Sequence, residues 1–210
     1  MPLGPIALGE GNMNAAKAAL FDAEAEAPYG DADQPKIARL LAAAELGRGM
    51  QVLEPGCGTG RLTAVLAEAV GPQGQLVALD ISGRMAQACR ARVGASPQVA
   101  VHHGAVEDFP LDPGRFDAII CHQVVPHFDD LPAALTRLAA ALRLGGRLVI
   151  VHFLGAAHVN AVQRTAANPI LHHDRLPAVE EMSALLAGAG LTVDWAVDDE
   201  LGYLVRGRAR

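Results

Sequence analysis

The sequence predicts a doubly wound α/β domain built on a seven-stranded, mostly parallel sheet with one antiparallel strand. Three observations predict it. From Met50 onward, short apolar runs alternate with segments of helical period. The first run opens into a loop with glycine at every second position, followed by a helix. The last two runs are separated by a polar turn too short for a crossover, so they must be antiparallel neighbours.

In chain order, residues 1–13 read as a loose tail. Asn14 caps a helix running through Ala15 to Ala25, Pro28 to Asp33 form a turn, and Pro35 to Leu46 fit an amphipathic helix with Ile37, Leu40 and Leu41 on one face. The parallel strands are Gln51–Leu53, Gln75–Leu79, Val99–His102, Phe116–Cys121 and Arg147–Phe153. Helices at Arg61–Val70, Gly83–Val93 and Leu131–Leu142 lie between them. Runs that are apolar on both sides belong to a sheet covered on both faces. A helix at Ala178–Ala189 stops at Gly190. Strands Leu191–Val197 and Leu201–Gly207 then close the sheet around the turn Asp198–Glu200. The whole of 1–210 is read as one domain, with 1–46 as a helical lid and 154–177 as a cap over the substrate.

A chain of 210 residues with 51% hydrophobic and 19% charged residues has the composition of a globular protein with one core. Aromatics are 4%, so that core is aliphatic. The formal charge of −6 and the lack of a Lys/Arg cluster argue against a nucleic-acid partner. Cys57, Cys89 and Cys121 are odd in number and form no C-x-x-C pair, as expected of reduced thiols in a cytoplasmic protein. Met1 to Gly11 lack a basic region followed by a continuous apolar stretch, so no secretory leader is expected there. No apolar run is long enough to cross a bilayer, so no membrane partner is expected. A monomer or homodimer is expected; Arg206, Arg208 and Arg210 would oppose pairing of the last strand with its own copy.

The most informative stretch is Val52-Leu53-Glu54-Pro55-Gly56-Cys57-Gly58-Thr59-Gly60. Glycine there allows a sharp turn and lets a ligand touch the main chain. A second strand, Leu76-Val77-Ala78-Leu79-Asp80, ends in an acid. In doubly wound folds a carboxylate at that tip accepts hydrogen bonds from ribose hydroxyls. The plainer alternative is an aspartate that caps the next helix.

Further segments share one pattern. Glu54-x-Gly56-x-Gly58-x-Gly60 resembles motif I of the class I S-adenosylmethionine-dependent methyltransferases, small-molecule kind. Asp80-Ile81-Ser82-Gly83-Arg84-Met85 resembles the family's D-x-S-x-x-M segment. Phe116-Asp117-Ala118-Ile119-Ile120 resembles its motif IV strand. Arg143-Leu144-Gly145-Gly146-Arg147-Leu148 resembles the turn before its fifth strand, with Leu144 where proline is usual. The resemblance covers roughly residues 36–153. It implies a Rossmann-like methyltransferase fold, S-adenosylmethionine as cofactor and a small-molecule methyl acceptor.

Carried over position by position, the resemblance places Gly56, Gly58 and Gly60, with Cys57 among them, beside the methionine part of the cofactor. Glu54 would reach its ammonium, Asp80 its ribose, and Ile81 and Met85 its adenine. The family's aspartate after the third strand is replaced by Ala105, which cannot meet the adenine amino group. Val106 still offers a backbone amide, and Glu107 or Asp108 either substitutes or is solvated. His122 takes the motif IV position near the methionine end.

Methyl transfer from a sulfonium needs an aligned nucleophile and, where that atom carries a proton, a base. In this fold ligands meet the carboxyl ends of the strands. The loop after the fourth strand carries His127, the first candidate for proton acceptor. His152, at the tip of the fifth strand, is the second, and His173 in the polar segment Leu154–Leu176 is the third. A short helix is expected at Val159–Ala166. The plain readings are a local hydrogen-bonder for His127, a buried histidine for His152 and a solvated one for His173. His152, His158, His173 and Asp174 match no standard zinc spacing, so no metal is expected. His102 and His103 are read as residues of the sheet rim. Two rivals remain, a nicotinamide-dependent oxidoreductase and a non-catalytic cofactor-binding module. The alternating glycines and Gly145-Gly146 argue against the first, and Ala105 keeps the second open.

Overall fold

The computed structural model describes Lys17 and residues 29–210. Seven strands are described: β1 Gln51–Pro55, β2 Gln75–Asp80, β3 Val99–His103, β4 Phe116–His122, β5 Leu142–His152, β6 Leu191–Asp199 and β7 Gly202–Ala209. They form one sheet in the order β3-β2-β1-β4-β5-β7-β6. β1 to β5 run parallel, and β7 is antiparallel to both of its neighbours, β5 and β6. The helices are α1 Gln34–Ala44, α2 Arg61–Val70, α3 Gly83–Val93, α4 Leu131–Ala141, α5 Ala156–Arg164 and α6 Val179–Gly188.

Side chains alternate across a strand, so each central strand supplies both cores. Val52, Ala118, Ile120, Val149 and Val151 face α1 and α2, packing with Leu40, Leu62 and Leu66. Their neighbours Leu53, Ile119, Cys121, Leu148 and Ile150 face α4 and α6, packing with Leu135, Leu138, Met182 and Leu186. All seven residues of β4 are buried. This is why the strands read as continuous apolar runs rather than as alternating ones.

The boundaries move in three instructive places. β5 begins at Leu142, the last residue of the expected helix, and runs through the segment read as a turn, because Leu142 pairs with Phe116 before the register shifts. Gly146 permits this: a Cβ there would lie 3.0 Å from the Phe116 carbonyl oxygen. The closing hairpin turns on Glu200 and Leu201 alone, with Asp199 opposite Gly202, and the Asp199 carboxylate accepts from Leu201 N at 2.9 Å. In the segment expected to be a cap, the short helix starts at Ala156, three residues before the expected point, and a 3₁₀ turn follows at Pro169–His173. The expected turn at Pro28–Asp33 holds a 3₁₀ turn at Asp31–Asp33. The expected helix Asn14–Ala25 lies outside the described residues except for Lys17, which is helical.

α1 ends at Glu45, whose backbone is left-handed (φ 48°). Its carboxylate accepts from Arg206 at 3.1 Å and Arg208 at 2.8 Å, and also pairs with Arg147. Each exposed pair is worth little alone, yet together they tie the end of α1 to β5 and β7.

Candidate active site

A cleft opens at the carboxyl ends of β1, β2 and β4, where the parallel strands release their loops. The loop after β1 is drawn across the end of β2. Gly56 N and Cys57 N donate to the Leu79 carbonyl at 2.8 and 2.9 Å, so the start of the turn is held by main chain. Gly56 adopts φ 72°, and a Cβ there would stand 2.4 Å from Val124 Cγ2. Gly58 is also left-handed, at φ 53°. Gly60 departs from the expected role, since it does not line the cleft. A Cβ on it would lie 2.9 Å from Cys89 Sγ, so this glycine lets the loop seat against α3.

Asp80 holds the two arms of the cleft together. Its Oδ2 accepts from Gly58 N and its Oδ1 from Ser82 N, both at 2.8 Å. The carboxylate thereby faces the cleft from the strand tip with its charge opposed by main-chain amides. The helix cap is supplied by the next residue but one, with Ser82 Oγ accepting from Met85 N at 3.0 Å. Asp80 is therefore not needed as a cap. Glu54, at 1% exposure, also lines the cleft. Ile81 and Met85 give it an apolar wall.

Beyond β3 the wall is Gly104, Val106 and Glu107. Ala105 is buried and does not line the cleft, whereas its neighbours Gly104 and Val106 do. Burial raises the Glu107 carboxyl above the usual carboxylate range, opposed in part by the backbone amides of Glu107 and Asp129. Cys57 lines the cleft, and its thiol is pushed up by its hydrogen bond with Cys89 and by burial, so it stays protonated. All three cysteines are free thiols.

Aromatic rings and a guanidinium line the opposite side. His122, at the tip of β4, lies 4.6 Å from the Phe153 ring, and Tyr29 lies 5.8 Å from Phe153. The Arg61 guanidinium stands 4.4 Å over the Tyr29 ring. Gln123, which follows His122, has a left-handed backbone (φ 56°), an unusual conformation for a side chain with a Cβ and one that clusters at functional sites.

His127 ends a 3₁₀ turn, Val125–His127, and lines the same cleft. Its Nδ1 lies 2.6 Å from Asp174 Oδ2. The second carboxylate oxygen, Asp174 Oδ1, lies 3.0 Å from Lys17 Nζ. Lys17 also donates to the His127 carbonyl at 3.0 Å and lies 3.4 Å from Asp129 Oδ1. Burial works against the Asp174 charge, but His127 and Lys17 outweigh it and hold the carboxyl below its ordinary range.

The other two histidines sit elsewhere. His152 is 3% exposed, does not line the cleft, and packs edge-on to the Tyr203 ring at 6.2 Å. Burial lowers it to about 3, with His122 and His127 adding to the effect. The reason is strand parity. His122 pairs with Val151, so His152 points to the opposite face of the sheet. His173 is exposed and borders a second, more apolar groove beyond Phe128, not the cleft. Among the described residues no three His, Cys, Asp or Glu gather as metal ligands, and no helix is long and apolar enough to cross a membrane.

Sequence reasoning passed over Arg61, although its place directly after Gly60 at a helix start was a usable signal. It also missed the pairing of Asp174 and Lys17 with His127, for which no local signal exists.

Residues 52–146 match the family model described as a methyltransferase domain. The chain is similar to the 2-phytyl-1,4-naphtoquinone methyltransferase of Thermosynechococcus vestitus, 35% identical over 109 residues, covering 52% of this chain and 48% of that protein. It is similar to the nocamycin O-methyltransferase of Saccharothrix syringae, 34% identical over 119 residues, covering 55% of this chain and 42% of the relative. These matches span less than half the length of either relative. In fold it is similar to a geranyl diphosphate methyltransferase solved with geranyl diphosphate and sinefungin, an analogue of S-adenosylmethionine. That likeness has a TM-score of 0.76 and 15% identity, covering 96% of this chain and 100% of the other.

Proposed function

We propose that the methyltransferase domain of this chain, of the class I S-adenosylmethionine-dependent kind, methylates a proton-bearing O, N or S atom of a small molecule, with His127 taking the proton. The observation that carries the reading is the His127–Asp174 pair on the wall of the cleft that Glu54 and Asp80 also line. The residues fit the cofactor chemically. Glu54 suits an ammonium, the Asp80 carboxylate at the strand tip suits ribose hydroxyls, and Ile81 and Met85 suit an adenine face. Cys57, Gly58, Val106 and His122 border the same space.

The cofactor supplies an electrophilic methyl group already bonded to a good leaving group. The protein's task is orientation and proton removal. With Nδ1 committed to Asp174, Nε2 of His127 is the nitrogen that meets an acceptor's X–H, and Asp174 stabilises the resulting imidazolium. The two named relatives support a small-molecule acceptor, and the nocamycin enzyme's name gives oxygen as its methylated atom. Segment 154–177 is read as the acceptor's cap, because it delivers Asp174 to the dyad. Three free thiols suit the cytoplasm.

The test is a titration with S-adenosylmethionine by calorimetry, with nicotinamide cofactors as controls. Transfer of labelled methyl to a panel of phenols, enols, amines and thiols follows, for the parent and His127→Ala. The expected result is saturable binding of S-adenosylmethionine alone, kept in His127→Ala, with transfer lost. Undiminished transfer by His127→Ala would sink the assignment of the base.

A further inference from the structure

We propose that Lys17 is a positioning residue for His127, fixing the Asp174 carboxylate so that the imidazole presents Nε2 to the cleft. The inference rests on the reading of His127 as proton acceptor. Lys17 is the described residue of the chain's first 28, and it sits far in sequence from the histidine whose carbonyl it holds, 110 residues away. Its side chain is 5% exposed and that of Asp174 is 6% exposed. Buried charges persist only when paired, and here every contact is made. Nζ meets Asp174 Oδ1 at 3.0 Å, the His127 carbonyl at 3.0 Å and Asp129 Oδ1 at 3.4 Å.

Two consequences follow from this arrangement. A carboxylate gripped at Oδ1 by an ammonium and at Oδ2 by an imidazole cannot rotate about its Cβ–Cγ bond without breaking one contact. The ring is therefore held by its Nδ1, while the backbone beneath it is held by the same ammonium. The charges also balance in one state only. Two carboxylates, Asp129 and Asp174, face one ammonium, so the cluster becomes neutral when His127 gains a proton. That matches an acceptor that surrenders a proton as it is methylated: its X–H bond would give the proton to Nε2, and the electron pair left on X would bond the methyl carbon as the donor's carbon–sulfur bond breaks and its pair leaves on sulfur. A carbon nucleophile with no acidic proton gains nothing from such a cluster.

The test uses the full chain labelled with ¹⁵N-histidine, and needs no acceptor. The downfield proton of the His127–Asp174 hydrogen bond is identified by its loss in His127→Gln and Asp174→Asn. It is then followed in Lys17→Met and Lys17→Arg, with the backbone amide spectrum of each as a check on folding. The expected result is loss or severe broadening of that signal in Lys17→Met, at least partial return in Lys17→Arg, and amide spectra otherwise retained. Once an acceptor is in hand, kcat falls about ten- to hundredfold in Lys17→Met, with cofactor affinity within about twofold of the parent. A signal of parental intensity and shift in Lys17→Met overturns the proposal. If Lys17→Met does not fold, the proposal stands or falls on whether Lys17→Arg keeps the signal. Failure of the underlying base assignment is distinguishable, since it is read from transfer by His127→Ala and not from this resonance.

Discussion

Replacing Gly56 by alanine tests how the cofactor loop is built. Two penalties are legible in the structure. The backbone at Gly56 is left-handed, which costs an L-residue about 1–2 kcal/mol. The new Cβ would stand 2.4 Å from Val124 Cγ2 and 2.7 Å from Val124 Cβ. Relieving such overlap in a packed site costs about 1–3 kcal/mol. The loop cannot slide away, because Gly56 N and Cys57 N are both bonded to the Leu79 carbonyl. The sum is about 2–5 kcal/mol, or a fall in Tm of about 4–20 °C for a chain of this size. Thermal melts of the parent, Gly56→Ala, Val124→Gly and the double variant separate the two penalties. Val124→Gly removes the three side-chain atoms that the Cβ would meet but leaves the backbone strain. A coupling of at least about 1 kcal/mol between the sites is expected. A Gly56→Ala protein within about 0.5 kcal/mol of the parent, or a coupling near zero, would refute the reasoning.

Other outcomes are equally specific. Asp80→Ala removes the acceptor proposed for two ribose hydroxyls as well as the tie between Gly58 N and Ser82 N. At about 1.5–3 kcal/mol per charge-assisted bond, S-adenosylmethionine affinity falls at least about a hundredfold by calorimetry. An analogue lacking both hydroxyls loses far less, and equal losses for the two ligands would remove the ribose role. His152 is held at about 3 in the fold but titrates near 6.5 when unfolded. The unfolded chain therefore takes up the proton first. Stability is lost as pH falls from about 6.5 toward about 3, by up to about 1.4 kcal/mol per pH unit. His152→Phe should flatten that part of a plot of Tm against pH, and an unchanged slope would show that other groups set it.

The parts legible in the sequence are those dictated by neighbouring residues. Glycine at 56 and 58 and an acid at 80 are demands of one turn and one strand tip, and all three line the cleft. Alternation along β4 and β5 gave the two-faced sheet because each strand carries its own record of burial. The same rule of alternation, applied to the strand tip, separates His152 from His122, a distinction that needs the register between β4 and β5 and not the composition of either. The spacing groups Gly60 with Gly56 and Gly58, while its left-handed backbone and its close approach to Cys89 on another helix are what require glycine there. Asp174 lies 47 residues from His127 in a segment rich in polar side chains, and nothing local marks it as that histidine's partner.

The wide spacing of the His127 cluster has a consequence for the newborn chain. A ribosome delivers Lys17 first, His127 after most of the parallel sheet, and Asp174 only when α6 and the antiparallel hairpin alone are still to emerge. Until then a lysine destined for burial has no opposing carboxylate from the cap and must remain hydrated. The glycine loop and Asp80, by contrast, lie 22 residues apart and can meet as soon as two strands pair. During synthesis the half of the cleft built on the glycine loop and Asp80 therefore matures before the half built on His127 and Asp174, so a truncated product ending before residue 174 would offer the first half without the second.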